Sequence, residues 1–264
     1  MNGALVRRDA ALAWRPFLLI GAVLAMYAGV VTSMFDPDLG ESLRMMMEAM
    51  PQMFAAFGMA DPGSTLAGFL ANYLYGFLYI ALPLVLILLL NSRFLVRWID
   101  QGSMAWLLAA PLSRRKLAAT QAAALVVAVT LLCLWIAGLG LGFSTVMFPG
   151  ELDMTRYAVM NLGLWALLQL LAALCFLAGC AVPDSRLATG AGGGVCVVFV
   201  LVDMLAGMDE GWEALRFFTP LTLYDPAGLA AGTAPLWPAA VLTGAALILY
   251  AVGVAVFCRR DLSL

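Results

Sequence analysis

Few side chains in this sequence can do chemistry. Its 264 residues include 16 Asp+Glu, 14 Lys+Arg, five cysteines and no histidine. Without histidine there is no imidazole general base, no Ser-His-Asp or Cys-His nucleophile and no His-ligated metal. Cys133, Cys175, Cys180, Cys196 and Cys258 fall within or beside apolar runs, where they read as small buried residues rather than a disulfide framework. The acids lack recognisable catalytic spacing. One of them, Asp203, sits near the end of an apolar run, and an ionisable residue at such a place is a functional candidate by default. It either reaches interfacial water or lines a pathway. Asn72, Tyr75, Gly76, Tyr79 and Pro83 recur at helical spacing, a polar face that lines a translocation route or serves interhelical packing. Pro83 predicts a kink there.

The elements that must position these residues are membrane helices. The sequence is 64% hydrophobic and 11% charged, with a mean hydropathy of +0.98. Soluble domains are about 45–50% apolar and about 25% charged. A helix spans the hydrocarbon with about 20 mostly apolar residues. Six runs qualify: 16–35, 66–90, 117–142, 157–182, 187–207 and 236–257. The fold class expected is all-α, an integral membrane protein of six transmembrane helices forming one domain over residues 1–264.

Charge sets the orientation. With the N-terminus in the cytoplasm, segments 1–15, 91–116, 183–186 and 258–264 carry eleven cations, and the opposite segments carry three. That excess predicts both termini in the cytoplasm and a cell (inner) membrane location. The net charge of −2 leaves no basic face for nucleic acid.

The flanking segments are patterned too. Residues 1–15 mix Arg7, Arg8, Asp9 and Arg15 with Leu5, Leu12 and Trp14. They predict a short amphipathic helix in the inner interface, before the chain turns in at Pro16. The apolar stretch that follows is too long for a cleaved signal peptide. In the first outer loop Leu43, Met46, Met47, Met50, Phe54 and Phe57 follow helical spacing. This predicts an amphipathic extracellular helix, either an interfacial element or a gate for an amphipathic substrate. Beyond the fifth run, Trp212, Phe217, Phe218, Tyr224 and Trp237 predict an outer aromatic belt on short, proline-broken helices.

The inner loop at 97–116 is the most informative stretch. Ser103 is placed to cap a short helix and Pro111 to stop it, with Met104, Trp106, Leu107 and Leu108 exposed between them. Such a helix needs the bilayer surface or a partner protein. Asp100, Gly102, Ser103, Leu107, Leu108, Pro111, Ser113 and Arg114, in this order and spacing, resemble the loop between the second and third spans of type-2 ABC transporter permeases. Six spans, cytoplasmic termini and the Arg259-Arg260-Asp261 ending fit the same family. Relatives carry more acid before the Gly-Ser/Thr pair, where this sequence has Arg97-Trp98-Ile99.

The resemblance implies the permease subunit of an ATP-driven exporter, with two separate ABC ATPase subunits and a second permease copy, identical or closely related. Residues from Asp100 to Arg114 would couple the ATPases to the spans. ATP and Mg would be held by the partner ATPase and no cofactor by this sequence. Its only lysine, Lys116, stands between Arg115 and Leu117, which is no phosphate-binding Gly-x4-Gly-Lys-Ser/Thr loop. The methionine-rich segment favours an amphipathic or hydrophobic substrate. The competing classes are an ion-coupled secondary transporter or channel and a membrane-embedded enzyme. No inverted repeat, coupling charges or catalytic cluster speaks for either.

Overall fold

A long apolar segment satisfies its own backbone away from water by becoming a helix, and every element among the described residues is helical. The computed structural model describes residues 3–35, 49–50, 65–96, 113–182, 184–208 and 210–259. Helix α1 runs Gly3–Ser33, α2 Leu66–Leu70, α3 Leu78–Asn91 and α4 Arg114–Met147. Helix α5 runs Met154–Ala181, α6 Ser185–Met208, α7 Pro226–Ala231 and α8 Trp237–Arg259. Five of them (α1, α4, α5, α6 and α8) are long and apolar enough to cross a membrane. The architecture is that of a multi-pass membrane protein.

The second expected span is not one helix. A π-helical turn, Ala71–Tyr75, follows α2, and another, Ser92–Val96, follows α3. The two halves meet at a 43° bend. The break lies at Gly76–Phe77, not at Pro83 where the sequence places a kink. Pro83 stands in the second turn of α3, so the carbonyl its ring crowds belongs to Tyr79, in a first turn that is free at its N-terminal end to adjust.

The N-terminus departs from expectation in the same direction. The chain does not turn at Pro16: α1 is one uninterrupted 31-residue helix. Proline at 16 cannot donate to the carbonyl of Leu12. Arg93, at the foot of α3, donates to that carbonyl from Nη1 at 3.0 Å. The guanidinium replaces the missing backbone donor and ties α1 to the end of the second segment.

Helix α5 is the axis of the bundle. In its apolar window 72% of residues are buried, against 22% in α6, and it packs on α3, α4, α6, α7 and α8. Glycines allow the close approaches. A Cβ at Gly192 on α6 would sit 3.0 Å from the Cys175 Cα on α5, whereas Gly190 and Gly194 face open space. Trp135 of α4 donates to the Gly21 carbonyl of α1 at 3.1 Å.

Candidate functional site

Side-chain caps fix where the helices begin and hence where the loops attach. At the predicted inner end, Ser113 has extended backbone angles and its hydroxyl accepts from the Lys116 N–H at 3.4 Å. Arg114 is then the first residue of α4, three residues before the span the sequence marks. Asp184 caps α6 in the same way, accepting from the N–H groups of Arg186 and Leu187 at 2.7 and 3.1 Å. The other coupling candidates, Asp100, Gly102, Ser103, Met104, Trp106, Leu107, Leu108 and Pro111, lie outside the described residues. So does most of the methionine-rich segment.

Three of the four pathway candidates converge in the bundle interior. Asn72, Tyr75 and Tyr79 are almost wholly buried. The Tyr75 hydroxyl donates to Asn161 Oδ1 on α5 at 2.9 Å, and its ring meets Tyr79 edge-on at 4.8 Å and Tyr157 at 6.3 Å. The Tyr157 hydroxyl crosses to α4 and donates to the Ala137 carbonyl at 3.0 Å. It lies directly over Gly140, with no room for a side chain there. Asn72 donates to the Gly68 carbonyl at 3.0 Å. The Tyr79 hydroxyl is buried and has no hydrogen-bond partner among the described residues. Asp203 stands apart on α6, half-buried, where Arg216 of the segment that follows α6 is the cation acting on it.

A second polar line crosses the bundle one to two turns further along α5. Gln169 donates to the Val126 carbonyl at 3.1 Å and to Thr130 Oγ1 at 3.2 Å, and Trp165 donates to the same hydroxyl at 3.0 Å. Tyr250 of α8 donates to Gln169 Oε1 at 3.5 Å. Nearer the opposite end, Asn91 donates to the Cys175 carbonyl at 2.8 Å. Cys175 and Cys196 are 3.8 Å apart as thiols. Each of these bonds joins different helices, where apolar contact alone gives little preference for one neighbour over lipid.

The segment between α6 and α8 forms a cap of short helices, as the prolines predict. Two 3₁₀ pieces, Glu210–Phe218 and Pro220–Leu223, precede α7. Asp225 caps α7, accepting from Gly228 N–H at 2.9 Å with Pro226 following, and Gly232 at φ +77° closes it. Arg156 at the start of α5 then reaches the carbonyls of Ala230 and Ala231 at 3.2 and 2.7 Å, a cation at a helix C-terminus. Its Nε also pairs with Asp153 at 3.2 Å. Trp212, Phe217, Phe218 and Trp237 are exposed, as a belt requires. Tyr224 is not part of that belt. It is buried against Gly163, and burial first, with Cys133, Asp225 and Tyr157 adding, raises its phenol well above the usual range. Beside it a cavity of about 330 Å³ opens, lined by Gly163, Asp225, Leu229, Trp237 and Leu242 among others.

A family model described as a protein of unknown function, DUF2705, matches residues 23–263. The chain belongs to the DUF2705 family. No curated protein matches it. The DUF2705 match takes in α2–α8, both polar lines and the loop between α3 and α4. Sequence reasoning selected Tyr75 and Tyr79 but missed their partners Tyr157 and Asn161, and it missed Gln169, Asn91 and Arg93. Asn161 and Gln169 are polar residues inside an otherwise apolar run. That interruption was the available signal, because such a residue needs a partner on another helix.

Proposed function

We propose that this DUF2705 protein is the transmembrane permease subunit of an ATP-driven exporter of the type-2 ABC class. It works with two separate ATPase subunits and a second permease copy, and it moves an amphipathic or hydrophobic molecule outward. The observation that carries the reading is the loop from Asp100 to Arg114, with its Gly102-Ser103 pair, its apolar turn at Met104–Leu108 and its Pro111-Leu112-Ser113-Arg114 ending. The bundle supports it in two ways. The loop is joined to rigid elements at both ends, since Ser113 caps α4 and Arg93 fastens the foot of α3 to α1. A push on the loop would thus reach three helices together. The bent pair α2–α3 then supplies a sixth, broken span, with its break beside the Tyr75–Tyr79–Tyr157 cluster.

In this reading the positive segments lie inside, both termini are cytoplasmic, and the outer cap of α7 and the 3₁₀ pieces closes the route. The exposed glycine face of α6 is offered to the second copy. A charge at the apolar turn, Trp106→Glu or Leu107→Glu, leaves insertion intact and uncouples ATP hydrolysis from export in membrane vesicles. Wild-type coupling in both variants contradicts the assignment.

A further inference from the structure

A groove of about 550 Å³ runs between α4 and α8, which pack on one another. Arg115, in the first turn of α4, and Arg259, the last residue of α8, both line it. The start of α4 and the end of α8 therefore share one end of the bundle. Away from these two cations the walls are built mainly from small apolar residues, among them Ala119, Ala251 and Ala255. At the far end stands Tyr250, whose hydroxyl is engaged with Gln169 Oε1 at 3.5 Å. Arg259 and Tyr250 are nine residues apart on α8, about 13 Å at the helical rise. The groove is cationic at one end and apolar along the rest of its length.

Ala119, Ala251 and Ala255 are exposed, so the groove opens sideways on the face of the bundle that, in a multi-pass protein, meets lipid. Arg115 and Arg259 are exposed as well, and neither pairs with a carboxylate among the described residues. Arg115 stands where the helix dipole favours an anion over a cation, in a first turn that contains no acid. A negative group there gains from the side chain and from the helix end together. The planar guanidinium fork matches phosphate oxygens, and a basic pocket between membrane helices is a setting in which anionic headgroups are held. The volume lies within the ~300–1,000 Å³ of ordinary ligand sites.

We infer that this groove seats one anionic glycerophospholipid of the surrounding bilayer, with its phosphate on Arg115 and Arg259 and an acyl chain along the alanines toward Tyr250. Charge complementarity selects this occupant. A zwitterionic lipid brings its own cation to the guanidiniums, and an anion without a chain leaves the apolar length unfilled. Binding is a property of this chain and does not depend on the transport reading.

The test uses the full chain in uncharged detergent, titrated with radiolabelled phosphatidylglycerol, with retained label and thermal unfolding as readouts. Phosphatidylglycerol should bind saturably and raise Tm by a few degrees at about a hundredfold excess over Kd. Phosphatidylcholine should compete about tenfold less well or worse, and inorganic phosphate at the same concentration should not compete. Arg115→Gln and Arg259→Gln should each weaken binding about fivefold or more. Arg186→Gln removes an exposed cation at the start of α6 that does not line the groove, and it should leave binding unchanged. Ala255→Phe fills the groove from an exposed position and keeps both cations. It should weaken binding by a similar factor, and it serves if an arginine variant does not fold. Equal competition by phosphatidylcholine, displacement by inorganic phosphate, an equal loss in Arg186→Gln, or undiminished binding by whichever groove variants fold overturns the inference. An absence of saturable binding overturns it too, and cross-linking of Ala255→Cys between copies would then assign the groove to a second copy.

Discussion

At the scale of single residues, the bundle is specified by a few polar side chains that reach between helices. Replacing Tyr75 with phenylalanine removes the bond to Asn161 and leaves its Oδ1 without that donor. Interhelical hydrogen bonds in membranes are worth about 0.6 kcal/mol on average and up to about 1.7, so Tyr75→Phe should cost about 1 kcal/mol in a reversible denaturant-unfolding series. Gly140 gives a sharper contrast. A methyl there meets the Tyr157 hydroxyl, whereas one at Gly138 meets nothing within 4 Å. Gly140→Ala should destabilise by about 1–3 kcal/mol, and Gly138→Ala should leave the unfolding midpoint nearly unchanged. The bond between Arg93 and the Leu12 carbonyl makes a third prediction, readable in a double-mutant cycle. Arg93→Met should cost about 1.5–3 kcal/mol when Pro16 is present, and less beside Pro16→Ala, because a backbone N–H then returns to that carbonyl. None of these partnerships was visible in the sequence. Arg93 looked like one more topology charge, since the role comes from a carbonyl 81 residues away.

At the scale of elements, most of the architecture was legible and the breaks were not. Apolar runs must become helices in lipid, so the expected spans at 157–182, 187–207 and 236–257 differ from α5, α6 and α8 by three residues or fewer at each end. Proline positions misled twice. At Pro16 a distant guanidinium repairs the lost bond, and at Pro83 the break at Gly76–Phe77 puts the ring near a helix start. Local sequence does not carry either fact. Helix α6 shows what the structure adds to a glycine pattern: Gly192 and Gly193 pack inward on Cys175 and Leu88, and Gly190 and Gly194 face outward. Gly192→Leu should prevent folding of the subunit. The double replacement Gly190→Leu, Gly194→Leu should leave the folded subunit intact and reduce self-association in a cross-linking assay. An unchanged cross-linked dimer would remove α6 as the pairing face.

At the scale of the whole molecule, the net charge of −2 conceals opposite halves, with cations gathered in the segments read as inner and acids in those read as outer. This fixes a topology only if the bent pair α2–α3 crosses the membrane. Reporter fusions at the two termini should both report the cytoplasm, and termini on opposite sides would make the pair a re-entrant hairpin. In the proposed exporter ATP is hydrolysed by a partner ATPase, reached through the loop at 97–116. The most direct measurement is the mild solubilisation of tagged full chain from its native membrane, followed by identification and assay of what stays bound. The account predicts an ATPase with a phosphate-binding loop, in a one-to-one ratio with this chain and lost from Leu107→Glu. Absence of any such ATPase from a preparation whose transport follows an ion gradient would contradict it.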